Sequence, residues 1–276
     1  MLPDLISEKT KSILTTRKLT VAYNNGKPII LNLDLAIPRG KITVIVGPNG
    51  CGKSTLLKSL ARLLKPISGT VYLESNSIFK LSTKEVAKQL AILPQSPTAP
   101  EGLTVEELVA QGRYPHQNWL QQWSIDDDKI TQEALVTTGL LELAGRSLDS
   151  LSGGQRQRAW VAMALAQDTE ILLLDEPTTF LDLAYQIELL DLLYDLNDSQ
   201  GRTIVMVLHD LNQACRYGDN LIVLRDGQIV TQGTPDQVMT VGMVRLVFGL
   251  ESQIIQDPVT GTPMCIPMGR KAKQKV

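Results

Sequence analysis

The 276-residue sequence predicts an α/β fold, a parallel core accompanied by an antiparallel β subdomain and a helical insertion, and three observations predict it. A glycine-rich stretch, Gly47-Pro48-Asn49-Gly50-Cys51-Gly52-Lys53-Ser54-Thr55, follows the β-branched run Ile42-Thr43-Val44-Ile45-Val46. It precedes Leu56, Leu57, Leu60, Leu63 and Leu64, which recur at helical spacing until Pro66. Strand, glycine loop and helix in that order form a unit of a parallel sheet. From about residue 12 to 46 the pattern is that of strands, cleanest in the alternation of Leu31-Asn32-Leu33-Asp34-Leu35-Ala36-Ile37, with Asn24-Asn25-Gly26-Lys27 as a hairpin turn. Residues 96–150 carry helix starts in place of strong strand signals.

The glycine stretch has chemistry as well as shape. Two glycines five apart, then Lys and Ser, fit the P-loop pattern. Gly47, Gly50 and Gly52 let backbone amides curl round an anion without Cβ clashes, and the following helix N-terminus adds partial positive charge. Lys53 is placed for the outer phosphates and the Ser54 hydroxyl for Mg²⁺, with Pro48, Asn49, Cys51 and Thr55 completing the loop. An ordinary strand–turn–helix connection has no need of Lys-Ser after the second glycine. The fold class is therefore α/β with a P-loop nucleotide-binding core.

Bulk composition agrees and excludes other classes. Hydrophobic content of 43% and charged content of 20% are those of a globular protein with a substantial core. A formal charge of −2 argues against a strongly basic nucleic-acid binder, and 4% aromatics leave little for a base-stacking platform. No apolar run reaches the ~18 residues of a membrane span, and Met1-Leu2-Pro3-Asp4 has no signal-peptide pattern. Cys51, Cys215 and Cys265 are scattered and odd in number, which points to a reduced cytosolic setting.

Taken in order, Ile13-Leu14 opens the first strand and Tyr23 stands just before the hairpin turn. Its ring is able to stack on a base, although for this residue alone packing is the plainer reading. Gly69 to Leu73 gives another strand, Ser82-Thr83-Lys84-Glu85 caps a helix through Leu90, and Ala91-Ile92-Leu93 is a strand running into Pro94-Gln95. Thr104 to Glu107 and Ser124 to Asp127 are further capping boxes. Between them lies the irregular, polar-aromatic 111–123 segment, with Arg113, Trp119 and Trp123, whose composition is that of a contact loop.

Leu151-Ser152-Gly153-Gly154-Gln155 opens a helix whose first turn is polar and cationic. Alone this is a plain N-cap, yet cations there run against the helix dipole and suit a phosphate-facing end. Ile171 to Asp175 is a buried strand ending in two carboxylates, Asp175 and Glu176. Asp175 is placed to hold Mg²⁺ through water, and Glu176 to orient and deprotonate an attacking water. Leu181-Asp182 leads a long helix with Ile187, Leu190, Leu193 and Leu196 on one stripe. His209 ends the next strand, expected beside that of Asp175 and within reach of a γ-phosphate. Asp226-Gly227 turns a hairpin, Thr234-Pro235 starts a helix, and a basic tail (Arg270-Lys271-Ala272-Lys273-Gln274-Lys275) closes the chain. Solvation is the plain reading of that tail, docking on anionic lipid the alternative.

With these motifs in order the chain resembles the ATP-binding subunit of an ABC transporter, over roughly residues 13–249. The resemblance implies one ABC ATPase domain over 1–276, with a helical subdomain at about 96–165, and a strand pair and the basic tail in 250–276. It implies ATP and Mg²⁺ as cofactors, Tyr23 as the adenine-stacking aromatic, Gln95 as a contact to Mg²⁺ and water, Glu176 as the catalytic base and His209 as the switch histidine. Asp182 falls in the loop that crosses the dimer interface. Phe180 stands in that loop where the family often has a small residue, which bears on its packing.

Two phosphate cradles in one chain are not both needed by one triphosphate on one side. A head-to-tail pair of such subunits, identical or not, lets Ser152, Gly153, Gly154 and Gln155 of one close over the nucleotide of the other. Cleavage then opens the pair and drives a polytopic membrane permease. The implied location is peripheral, at the cytoplasmic face of the inner membrane, with a substrate-binding protein as indirect partner and no nucleic acid. Gly112-Arg113-Tyr114-Pro115-His116 and the late Asp257-Pro258-Val259-Thr260-Gly261-Thr262-Pro263 are similar to ATPases of ferric-siderophore importers, with cobalamin and haem importers close by. A soluble ABC-class ATPase and an exporter subunit are the alternatives. Two further expectations follow: the 111–123 segment, Arg113 included, lies near the permease docking surface, and Lys53 with the helix N-terminus favours the Cys51 thiolate.

Overall fold

The structure, a computed structural model, describes residues 12–24, 26–117, 123–179 and 181–269. Asn25 of the predicted turn, Trp119, Phe180, the N-terminal segment and the basic tail from Arg270 lie outside the described residues.

In chain order the elements are β1 (Ser12–Val21), β2 (Ile30–Pro38), β3 (Ile42–Val46), α1 (Lys53–Leu60), β4 (Ser68–Leu73), β5 (Asn76–Ser77), α2 (Thr83–Ala87), β6 (Leu90–Leu93), α3 (Val105–Gln111) and α4 (Ile125–Thr137). After two 3₁₀ turns follow α5 (Gly153–Ala166), β7 (Ile171–Asp175), α6 (Leu183–Gln200), β8 (Thr203–Val207), α7 (Leu211–Tyr217), β9 (Asn220–Arg225), β10 (Gln228–Gly233), α8 (Pro235–Val238), α9 (Val241–Phe248), β11 (Ser252–Gln256) and β12 (Pro263–Pro267). They fall into two compact units, one of the described residues up to Phe79 with those from Val205 on, the other Lys80–Ile204.

The first unit holds the antiparallel sheet, in the order β2-β1-β4-β5. Thr16 faces Leu35 on one side and Val71 on the other. Burial along β2 alternates as the sequence requires of a strand with one wet face. The same unit carries β3, every residue of it buried, paired in parallel with β9 at Val44 and Leu221. β9 turns back into β10 across Asp226 (φ 50°) and Gly227 (φ 75°), the two consecutive positive φ angles of a tight hairpin turn. Gly227 also has no room for a Cβ, which would lie 1.9 Å from the Ile29 carbonyl oxygen.

Helix α1 ends earlier than the leucine spacing predicts. Arg62 turns left-handed at φ 64°, so Leu63 leaves the helical face and is exposed. The strand pair expected after residue 250 is present as β11–β12, fixed to α7 by Asn212. Its side chain accepts from the Cys265 amide (2.8 Å) and donates to the Cys265 carbonyl (3.3 Å).

The second unit contains the parallel pair β6–β7, in register from Leu90 with Ile171 to Leu93 with Leu174. That pairing claims Leu90 for the strand, so α2 stops at Ala87 instead of running through Leu90. The helical part is α3, α4 and α5, and the predicted capping boxes at Ser82, Thr104 and Ser124 are all formed. Ala134, Leu135 and Thr138 are buried, as are Leu190, Leu193 and Leu196 along α6. Among the described residues no helix is long and apolar enough to cross a membrane.

Candidate nucleotide site

In the first unit, β3 delivers the chain into the glycine loop. A Cβ on Gly47 would lie 2.1 Å from the Leu224 carbonyl oxygen and 2.9 Å from Cys51 Sγ, so close approach to β9 demands glycine there. Gly52, at φ 107°, is the N-cap of α1 and offers no side chain to the first-turn amides. The helix start is thus an open anion cradle. Lys53 is only 5% exposed, and its ammonium donates to the Gly47 and Pro48 carbonyls at 2.9 and 3.0 Å. The Tyr23 hydroxyl lies 3.4 Å from Thr55 Oγ1, which sets the half-exposed ring beside the start of α1. His209, beyond β8, is exposed.

Cys51 does not behave as expected from its neighbours. Burial pushes its thiol up, and this outweighs the opposing effect of Lys53 and the backbone amides. Desolvating a thiolate is the larger effect in a loop packed this closely, so a reactive Cys51 is not supported.

In the second unit, Asp175 ends β7 with only 1% exposure. Glu176 follows in the left-handed region, φ 53°. Its Oε2 accepts from Gln95 Nε2 at 2.6 Å and from Thr179 Oγ1 at 3.2 Å. Gln95, just past the end of β6, and Glu176, just past β7, are thus brought together because the two parallel strands end level. Thr179 was not singled out in the sequence. Its signal there is a hydroxyl three residues after the glutamate in a turn, which the backbone closes with the Thr179 amide on the Glu176 carbonyl (3.2 Å).

Ser152 caps α5: its hydroxyl accepts from the Gln155 amide (3.2 Å), and Gln155 Oε1 accepts from the Ser152 amide (3.0 Å). Gly154 packs on the Tyr185 ring, where a Cβ would come within 3.2 Å, and the Arg158 guanidinium stands 5.3 Å from the centroid of that ring. Asp182 caps α6 by accepting from the Tyr185 amide (3.1 Å). Gly154 and Asp182 therefore meet at Tyr185, while Gly153 is exposed with open space about it.

Arg113 corrects the reading of the 111–123 segment as uniformly a contact loop. It is buried, pairs with Asp127 at 2.8 Å and donates to the Ala166 carbonyl at the end of α5, also at 2.8 Å. Burial alone would raise the Asp127 carboxyl, but hydrogen bonds from Arg113 and Ser124 hold it below its ordinary value. Tyr114, 64% exposed, and Trp123 remain at the surface and line an open groove with Leu103, Ala110 and Gln117.

Within the second unit the buried Asp175 carboxylate and the Gln95 carboxamide, and within the first the Ser54 hydroxyl at the start of α1, are each hard oxygen donors of the kind that suits Mg²⁺.

Residues 30–179 match the family described as ABC transporter. The chain is 59% identical over 259 residues to YusV of Bacillus subtilis, named a probable siderophore transport system ATP-binding protein, covering 94% of each. It is 58% identical over 266 residues to the petrobactin import ATP-binding protein FpuD of Bacillus anthracis, covering 95% of this chain and 97% of that one. Among solved structures it matches a dimeric ATP-binding cassette in a post-hydrolysis state bound to ADP and Pi, with TM-score 0.71 and 31% identity, over 80% of this chain and 98% of the other. The chain belongs to the ABC transporter family, as its ATP-binding, ATP-hydrolysing subunit.

Proposed function

We propose that this subunit hydrolyses MgATP to power import of a ferric siderophore through a separate membrane permease. The observation that carries the enzymatic reading is the hydrogen-bonded pair Gln95–Glu176 at the ends of two parallel strands, with Asp175 buried beside it. Glu176 takes the proton of the attacking water. Lys53 and the amides of the Gly47–Thr55 loop hold the outer phosphates, Tyr23 stacks on the adenine, and His209 contacts the γ-phosphate. Ser54, Gln95 and Asp175 hold Mg²⁺, which neutralises phosphate charge when bound. Ser152, Gly153, Gly154, Gln155 and Asp182 act across the interface of a head-to-tail pair. The names of the relatives support a siderophore as cargo. A substrate-binding protein then delivers that cargo from outside, and the subunit sits peripherally on the cytoplasmic face of the membrane.

Glu176→Gln keeps the shape and removes the basicity. ATP binding is expected to persist while hydrolysis falls ~10²-fold or more, with an ATP-bound dimer accumulating on gel filtration. Near-normal turnover would reject Glu176 as the base. Loss of ferric-siderophore uptake, measured with radiolabelled iron in cells lacking this chain, tests the cargo; unchanged uptake rejects it.

A further inference from the structure

Glu176 sits at φ 53°, in the left-handed region that few non-glycine residues adopt. Besides the 2.6 Å bond from Gln95, two contacts within the second unit bear on its turn. Thr179 Oγ1 donates to carboxylate oxygen Oε2 at 3.2 Å, from the same turn whose backbone bond runs from the Thr179 amide to the Glu176 carbonyl. Gln157, in the second turn of α5, donates through Nε2 to the carbonyl of Pro177 at 3.0 Å, which fixes the Pro177–Thr178 peptide of the turn that carries Glu176. Pro177 is buried, and since a residue before proline favours extended geometry, Glu176 holds its left-handed φ against that preference. Thr179 thus shares with Gln95 the orienting of the carboxylate, and Gln157 anchors the turn that carries it.

We propose that Thr179 and Gln157 are positioning residues for Glu176, acting on the rate of hydrolysis and not on nucleotide affinity. The proposal rests on the assignment of Glu176 as the base. Gln157 carries a second consequence. It lies just over one turn beyond Ser152, so the helix that on the proposed reading closes over a partner's nucleotide is bonded to the turn that bears this subunit's own base.

The test uses the full chain assembled with its permease in proteoliposomes. Thr179→Val keeps volume and removes the donor, and its kcat is expected to fall roughly tenfold with KM for ATP unchanged. Thr179→Ser restores the donor and is expected to recover kcat to within about twofold. Gln157→Leu is expected to lower kcat roughly threefold, again at constant KM and with nucleotide affinity, read by a fluorescent ATP analogue, unaltered. A Thr179→Val enzyme with parental kcat overturns the proposal, as does a serine variant no better than valine, or losses that reside in KM. Glu176→Gln separates the two claims. If that variant turns over normally, the base assignment fails; if it is inactive while Thr179→Val and Gln157→Leu are unimpaired, only the positioning claim fails.

Discussion

Helix α1 begins on Gly52 at φ 107°, with no side chain closing its first turn, whereas α5 begins on Ser152 in extended geometry, with Ser152 and Gln155 bonded to each other's amides. Both starts are rich in glycine, and both read in the sequence as anion sites. The first has no side-chain cap and is shaped by its own chain, since Gly47 admits no Cβ beside Leu224. The second satisfies its cap internally. Its Ser152 hydroxyl accepts the Gln155 amide and retains an O–H to give, and Gly153 has nothing near it to explain the absence of a side chain. Glycine at position 47 is required by the fold of this chain, whereas among the described residues nothing requires it at 153.

The sharpest way to break this comparison is to add one methyl at each place. Gly47→Ala puts a Cβ 2.1 Å from a backbone oxygen, so we expect a loss of ~3 kcal/mol or more in stability and of ATP binding by more than ~100-fold. Gly153→Ala should leave thermal unfolding and ATP binding by the isolated chain within error, yet lower hydrolysis if that surface meets a nucleotide on a second subunit. Equal losses in the two variants, by calorimetry and nucleotide titration, would refute the distinction.

At its far end α5 is held by Arg113, through the Ala166 carbonyl and the buried pair with Asp127. Arg113→Met leaves Asp127 without its cation in a site where both side chains are below 10% exposure. We expect a loss of about 3–5 kcal/mol in denaturant unfolding, larger than any effect on nucleotide affinity. A variant of parental stability would return Arg113 to the surface role its sequence context suggested.

The smallest effect sharpens the comparison from the other side. Ser152→Ala opens the α5 cap and should lower stability by ~1 kcal/mol, while the α1 start has no side-chain cap to lose. Hydrolysis should fall by more than that modest destabilisation explains if the hydroxyl also donates to phosphate. A drop in stability alone would leave Ser152 as a cap and nothing more.

Local chemistry made most of the structure legible in the sequence. The capping boxes at Ser82, Thr104 and Ser124, the Asp226-Gly227 turn and the alternation of β2 are properties of contiguous residues, and each is present as read. The glycine loop belongs with them, because its order of strand, loop and helix is written within a few residues. Legibility failed where a backbone turn or a distant pairing overrides side-chain spacing. Leucine spacing ran α1 on to Leu64, but a left-handed Arg62 ends it, and pairing with Ile171 drew Leu90 out of α2.

The sequence by itself therefore determined the fold class, the phosphate loop and the pair of carboxylates at the end of β7. These depend on residue type and spacing, which the chain carries wherever it goes. Only the tertiary structure decided that Cys51 is a buried thiol pushed up in pKa, that Arg113 is an interior cation facing Asp127, and that Glu176 shares one oxygen between Gln95 and Thr179. Burial and the geometry of approach are sums over neighbours brought from elsewhere in the chain, and spacing along the chain does not encode them.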